Sequence, residues 1–196
     1  MKTIFVTGTD TAVGKTVVSR ALLQCFAKAE LCAAGYKPVA KSAQPTPDGL
    51  RNKDALLLQQ ASGLELAYHA VNPITLEEDE ISTSATLRMD YPLLSRGLHS
   101  LQERAARVVV EGTGGWRSLM NDLQPFSQWV QQEQLPVILV VGIKEGCISH
   151  ALLTADAIAG DGLPLVGWVA NRINPGLAHY AEIIDVLREK LGAPLL

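Results

Sequence analysis

Apolar residues in this chain fall into short unbroken runs, separated by longer stretches that repeat every three to four positions. Five runs, Thr3–Val6, Ala34–Val39, Val108–Val110, Pro136–Val141 and Leu165–Ala170, are mostly apolar rather than alternating. That is the mark of strands covered on both faces of a parallel sheet. Between them the repeat is helical: Val17, Val18, Ala21, Leu22, Cys25 and Phe26 after Gly14; Leu94, Leu98, Leu101 and Ala105; then Leu177, Ala181, Ile184, Leu187 and Leu191. Strands alternating with helices predict crossover connections, hence a three-layer α-β-α (α/β) fold with a mostly parallel central sheet. Ligands of such sheets bind beyond the carboxyl ends of the strands. The stretch Lys41–Gly49 reads as a long polar loop, and the acidic stretch Glu77–Glu80 as a solvated surface turn.

Composition narrows the class. At 196 residues the chain fits one domain, residues 1–196, and 47% hydrophobic residues suffice for a full core. A net charge of −3 without a run of Lys or Arg argues against a nucleic-acid partner. Anionic ligands must then be held by backbone N–H groups and single lysines. No apolar run reaches membrane-spanning length, and the N-terminus does not read as a signal peptide. The cysteines, Cys25, Cys32 and Cys147, are odd in number and include no Cys-x-x-Cys pair. They point to reduced thiols and a cytoplasmic location.

The candidate chemistry begins where the first strand ends. Gly8-Thr9-Asp10-Thr11-Ala12-Val13-Gly14-Lys15-Thr16 lies between a strand and a helix, the context of the phosphate-binding loop of P-loop nucleoside triphosphatases. Its glycines let the backbone curl so that N–H groups, aided by the helix dipole, face phosphate oxygens. Lys15 is placed to reach the β- and γ-phosphates and the Thr16 hydroxyl to ligate Mg²⁺. The loop holds one residue more between its glycines than the common pattern. Mg²⁺ also needs an acid at a neighbouring strand end. Glu111 follows three valines, where a carboxylate is costly unless a cation or donors compensate it. The glycines that follow, Gly112 and Gly114 on either side of Thr113, allow backbone close to phosphate, which makes Gly112, Thr113 and Gly114 nucleotide-binding candidates. Asp54 opens another helical pattern; on residues alone it serves the metal and the first turn of that helix equally well.

The phosphate loop resembles that of the dethiobiotin synthetases. So, in order, do Gly35-Tyr36-Lys37-Pro38-Val39, Gly49-Leu50-Arg51-Asn52-x-Asp54, Glu111-Gly112-x-Gly114-Gly115-Trp116, Gln134-Leu135-Pro136-Val137, Gly146-Cys147-Ile148 and Gly167-Trp168-Val169-Ala170-Asn171. The resemblance covers essentially the whole chain. It implies closure of the ureido ring of dethiobiotin from 7,8-diaminopelargonic acid, CO₂ (or bicarbonate) and MgATP. One amine becomes a carbamate, the carbamate attacks the γ-phosphate, and the second amine displaces phosphate. By the same resemblance Lys15 and Lys37 flank the developing charge, and Thr11 touches the carbamate region. Ala12, Val13, Gly14, Lys15, Thr16 and Val17 wrap the phosphates, while Thr16, Asp54 and Glu111 hold Mg²⁺. Asn171 and Arg172 lie at the base. Gly146, Cys147, Ile148 and Ser149 start a helix that, from the partner subunit of a homodimer, holds the substrate carboxylate. Cys147 and His150 could instead suggest a thiol nucleophile, but no orienting third residue is identifiable.

Three departures from the family pattern stand out. Lys41 replaces a small hydroxyl residue at a substrate contact, which points to a paralogous branch. Arg172 replaces a common acid. The sequence stops at Gly192-Ala193-Pro194-Leu195-Leu196, where the family continues with a strand, an adenine-packing loop and a helix. Pro194–Leu196 reads as the start of that strand. The competing readings are a different P-loop ATPase, such as a partitioning ATPase, and a nucleotide-binding regulator without turnover. The first expects a second lysine where Thr9 and Asp10 stand. The second has no need of Lys37. A GTPase expects Asn-Lys-x-Asp, which is absent.

Overall fold

The structure, a computed structural model, describes residues 1–76, 89–120 and 122–196; the acidic stretch Glu77–Glu80 lies outside the described residues. In chain order the elements are β1 (Thr3–Gly8), α1 (Lys15–Lys28), β2 (Ala33–Tyr36), β3 (Val39–Ala40), β4 (Gln44–Thr46), β5 (Gly49–Arg51), α2 (Lys53–Ala61), α3 (Tyr68–Val71), β6 (Ile74–Thr75), α4 (Tyr91–Arg104), β7 (Arg107–Gly115), α5 (Ser127–Gln132), β8 (Val137–Gly142), α6 (Cys147–Gly160), β9 (Leu165–Asn171) and α7 (Tyr180–Lys190).

The five apolar runs become a five-stranded sheet in the order β2-β7-β1-β8-β9, with every neighbouring pair parallel. Both faces are covered, as the unbroken apolar runs require. Leu23, Leu58, Leu94, Leu98, Leu101, Phe126 and Trp129 close on the valines of β1 and β7. A second cluster joins Leu139 and Val141 of β8 to Trp168, Ala151, Ile184 and Leu187. Helices on both sides of a parallel sheet make the three-layer architecture.

The boundaries differ from the sequence expectation where the backbone changes partner. The run Ala34–Val39 is two elements, since β2 stops pairing with β7 at Tyr36 and Val39–Ala40 pair instead with Ile74–Thr75. Pro38, between them, has no N–H to donate to a ladder. The third run continues beyond Val110 to Gly115, so Glu111 lies within β7 opposite Val6. The register then shifts, leaving two extra residues in β7 before Gly115 meets Gly8, a bulge that turns this strand end toward the phosphate loop. The helix of the Leu177 pattern starts only at Tyr180. Within the loop Lys41–Gly49, β4 and β5 form a hairpin across Pro47 and Asp48. Pro194–Leu196 lie parallel to β9, through Trp168 N–H to Pro194 O at 2.9 Å and Leu196 N–H to Trp168 O at 3.0 Å.

Candidate functional site: a phosphate loop over a buried Lys–Glu pair

At the carboxyl ends of β1, β2 and β7 lies a cavity of about 590 Å³, reached by Thr11, Ala12, Gly14, Lys15, Thr16, Lys37, Lys41, Asp54, Glu111, Thr113 and Gly114. These are the sequence-predicted residues that the fold brings together. Ser42, Gln44, Arg51, Asn52 and Lys53 share the wall. The first two belong to the loop read only as polar. Arg51, Asn52 and Lys53 directly precede Asp54, in the segment Gly49–Asp54 that resembles the family motif.

The loop's shape follows from two left-handed residues, Ala12 at φ 57° and Gly14 at φ 98°. A side chain at Gly14 is excluded twice, because its Cβ would also lie 2.1 Å from Asn171 Nδ2. Gly14 starts α1 without a side-chain cap, so the first-turn N–H groups are available to an anion. Lys15 lies over this turn, 7% exposed, with Nζ donating to Asp10 O at 3.0 Å. Burial, reinforced by the Lys37 charge, lowers its pKa from 10.5 to about 8 against the opposing pull of Glu111. An anionic ligand therefore relieves an ammonium that the protein alone compensates poorly. Lys144 fixes the outer limb of the loop by donating to Asp10 Oδ2 at 2.9 Å, and Thr11 N–H donates to Asp10 Oδ1 at 2.7 Å. The Lys144 bond is the main cause of a lowered Asp10 pKa.

Beneath the loop sits the most buried chemistry. Lys37 and Glu111 are 3% and 1% exposed, and Lys37 Nζ donates to Glu111 Oε1 at 2.7 Å. The same oxygen accepts from Thr16 Oγ1 at 2.9 Å. Gly112 O takes a second, long bond from Lys37 at 3.4 Å. An ammonium carries three donors, so one remains for a ligand oxygen. Glu111 Oε2 is buried and has no hydrogen-bond partner among the described residues. An orphaned carboxylate oxygen beside a threonine hydroxyl, with Asp54 on the same cavity, is a hard oxygen set that fits Mg²⁺. No group of three His, Cys, Asp or Glu that could hold a metal alone occurs among the described residues. A Mg²⁺ that keeps waters and phosphate oxygens needs none.

Other expected residues lie elsewhere. Val13 is fully buried, while Val17 is 67% exposed on α1, and neither is among the residues lining the cavity. Gly112 faces the Phe5 ring. Asn171 Nδ2 donates to Val13 O at 2.8 Å, bracing the loop from behind. Arg172 donates to Pro175 O and lies over the Tyr180 ring. Gly146, Cys147, Ile148 and Ser149 start α6 away from the cavity walls. Cys147 is 1% exposed in the second core cluster while His150 is exposed, so the two form no nucleophile pair.

The chain is similar to several known proteins. Residues 2–196 match a family model described as an AAA domain. An ATP-dependent dethiobiotin synthetase BioD 2 of Escherichia coli K12 is 68% identical over 196 residues, covering 100% of this chain and 85% of that protein. The Yersinia pestis BioD 2 is 61% identical, covering 98% and 87%. Among solved structures, a ParA family ATPase from Chlorobium tepidum superposes with a TM-score of 0.59 at 12% identity, over 100% of this chain and 82% of that one. A DUF1611 family protein from Anabaena variabilis gives 0.58 at 17% identity, covering 99% and 52%. These two likenesses show the fold alone.

Proposed function

We propose how this chain, which belongs to the ATP-dependent dethiobiotin synthetase family, carries out that family's reaction: a phosphoryl transfer from ATP to a carbamate, driven by the buried Lys15–Lys37–Glu111 cluster. The observation that carries this reading is the position of Lys37. A nucleotide-binding loop needs Lys15 and Thr16, but a second ammonium, 3% exposed just beyond the end of β2 and with a donor left over after Glu111, suits a site where more negative charge arrives than a triphosphate brings.

The substrates are ATP, 7,8-diaminopelargonic acid and CO₂. One amine of the diamine adds to CO₂, forming an N–C bond and losing a proton. A carbamate oxygen then attacks the γ-phosphorus while the bond to the β-phosphate oxygen breaks and ADP leaves. The second amine attacks the carbamoyl carbon, a C–N bond replaces the C–O bond, and phosphate departs with loss of a proton. The first-turn N–H groups of α1 and Lys15 hold the phosphates in line. Lys37 donates to the oxygens between carbamate and phosphorus, and Thr11 at the loop tip faces the carbamate. Thr16, Glu111 and Asp54 would hold Mg²⁺, which would neutralise phosphoryl charge. Lys41 lines the same cavity, donates to Leu119 O at 3.4 Å and is the residue we assign to the substrate side. Gly146–Ser149 start a helix outside this cavity, which supports their use across a homodimer, where the partner's copy receives the substrate carboxylate. A cytoplasmic location suits these substrates, and no helix among the described residues is long and apolar enough to cross a membrane.

The test is incorporation of labelled CO₂ into an acid-stable product from diamine and MgATP. The reading expects label in wild-type product and none with Lys15→Ala. Acid-labile label alone would contradict ring closure.

A further inference from the structure

Lys37 is positioned from its main chain as well as from its side chain. The sheet ladder between β2 and β7 ends at Tyr36, so the Lys37 peptide lies outside it and must find other partners. Its N–H donates to Val71 O at 2.8 Å, and its carbonyl accepts from Asn72 Nδ2 at 2.7 Å. Asn72 is 2% exposed. Its amide also donates to Ile74 O at 2.9 Å and accepts from Tyr68 Oη at 2.8 Å and Thr75 Oγ1 at 2.9 Å. All four hydrogen-bonding positions of a side-chain amide are filled.

The chain continues through the Tyr68 hydroxyl, which accepts from Asn52 N–H at 2.8 Å. Asn52, 6% exposed, donates through Nδ2 to Lys41 O at 2.7 Å, and its Oδ1 caps α2 by accepting from Ala55 N–H at 3.1 Å. Asp54 stands in the first turn of that helix. The Tyr68 ring carries the Arg51 guanidinium 4.4 Å from its centre.

We infer that Asn72 and Tyr68 are positioning residues for the reaction: a buried amide–phenol link that fixes the Lys37 main chain and the Asn52 corner bearing Lys41 and Asp54 as one unit. The inference rests on the reading that Lys37 acts on the transferred phosphoryl group. A satisfied buried polar chain has one low-energy arrangement, which is what an ammonium aimed at a transition-state oxygen requires.

Tyr68→Phe keeps the ring under Arg51 and deletes only the hydroxyl. Asn72→Asp keeps the shape and sets an oxygen against the Lys37 carbonyl. Misplacement of a catalytic group by about 1 Å costs on the order of 100-fold, so kcat should fall about 10-fold for Tyr68→Phe and about 100-fold for Asn72→Asp. The Kd of a non-hydrolysable ATP analogue, measured without Mg²⁺ so that Asp54 does not enter, should stay within about twofold in both, because Lys15 and its loop are untouched. In a Lys37→Ala background Tyr68→Phe should produce a clearly smaller fractional loss of kcat, because only the part that acts through the Asn52 corner is left. A wild-type kcat in Tyr68→Phe, whatever its melting temperature, would overturn the inference, as would the same fractional loss in both backgrounds. Should Asn72→Asp fail to fold, the Tyr68→Phe cycle decides alone. A wild-type protein with no diamine-dependent turnover would instead overturn the reading of the site, and the positioning role with it.

Discussion

Lys37 and Glu111 hold opposite charges in a place where neither is tolerated alone. A buried ion pair is weak as a source of stability, yet removing one partner leaves an uncompensated charge at a cost of about 3–5 kcal/mol. Lys37→Met and Glu111→Leu should each lower unfolding free energy by about that amount in denaturant titrations, and the double variant should recover most of the loss. Additive losses would mean that the two side chains are stabilised separately. The roles of the two lysines divide in the same way. Lys15→Ala should weaken binding of the ATP analogue by about 100-fold or more in calorimetry, since Lys15 meets the phosphates in the ground state. Lys37→Ala should leave that binding nearly intact and lower kcat by roughly 100-fold or more, the loss expected when a donor to developing charge is removed.

At the scale of elements, the phosphate loop is held between two supports. Asn171 at the end of β9 bonds to Val13 O and fills the space a side chain at Gly14 would need. Asn171→Ala should loosen the loop and weaken nucleotide binding several-fold with little change in melting temperature. Gly14→Ala should abolish binding in the wild-type and in the Asn171→Ala background alike, because φ 98° is strained for alanine even after the clash is gone. Binding restored in the double variant would show that the clash alone sets the requirement for glycine.

The main sheet was legible because fully buried strands are written as apolar runs, and the phosphate loop because its glycines and Lys15-Thr16 sit between a strand and a helix. The extension of β7 past Glu111 was not legible. Gly112, Thr113 and the glycines after them carry no strand signal, and only pairing to β1 makes them extended. The β4–β5 hairpin had a signal in Pro47-Asp48-Gly49, a turn sequence between paired segments. Asn72 and Tyr68 had none: a lone amide and a phenol gain meaning only when the fold brings them to Lys37. Asp54 was ambiguous in sequence, and in the structure it both opens α2 and faces the cavity.

At the scale of the molecule, the sheet order places the strand end bearing Lys37 and the loop bearing Lys15 on either side of β7, with Glu111 between them. Topology thus converts residues far apart in sequence into one charge-compensating cluster. The second core cluster, centred on the fully buried Trp168, ties α6 and α7 to the far side of the sheet. Trp168→Ala should cost about 3–5 kcal/mol in thermal or chemical unfolding. The most direct test of the account is phosphate release from MgATP and bicarbonate, measured with and without 7,8-diaminopelargonic acid, for the wild-type chain and Lys37→Ala side by side. The account predicts release that depends on the diamine in the wild-type chain and falls by roughly 100-fold or more in the variant. Release indifferent to the diamine, or equal in the two proteins, would contradict it.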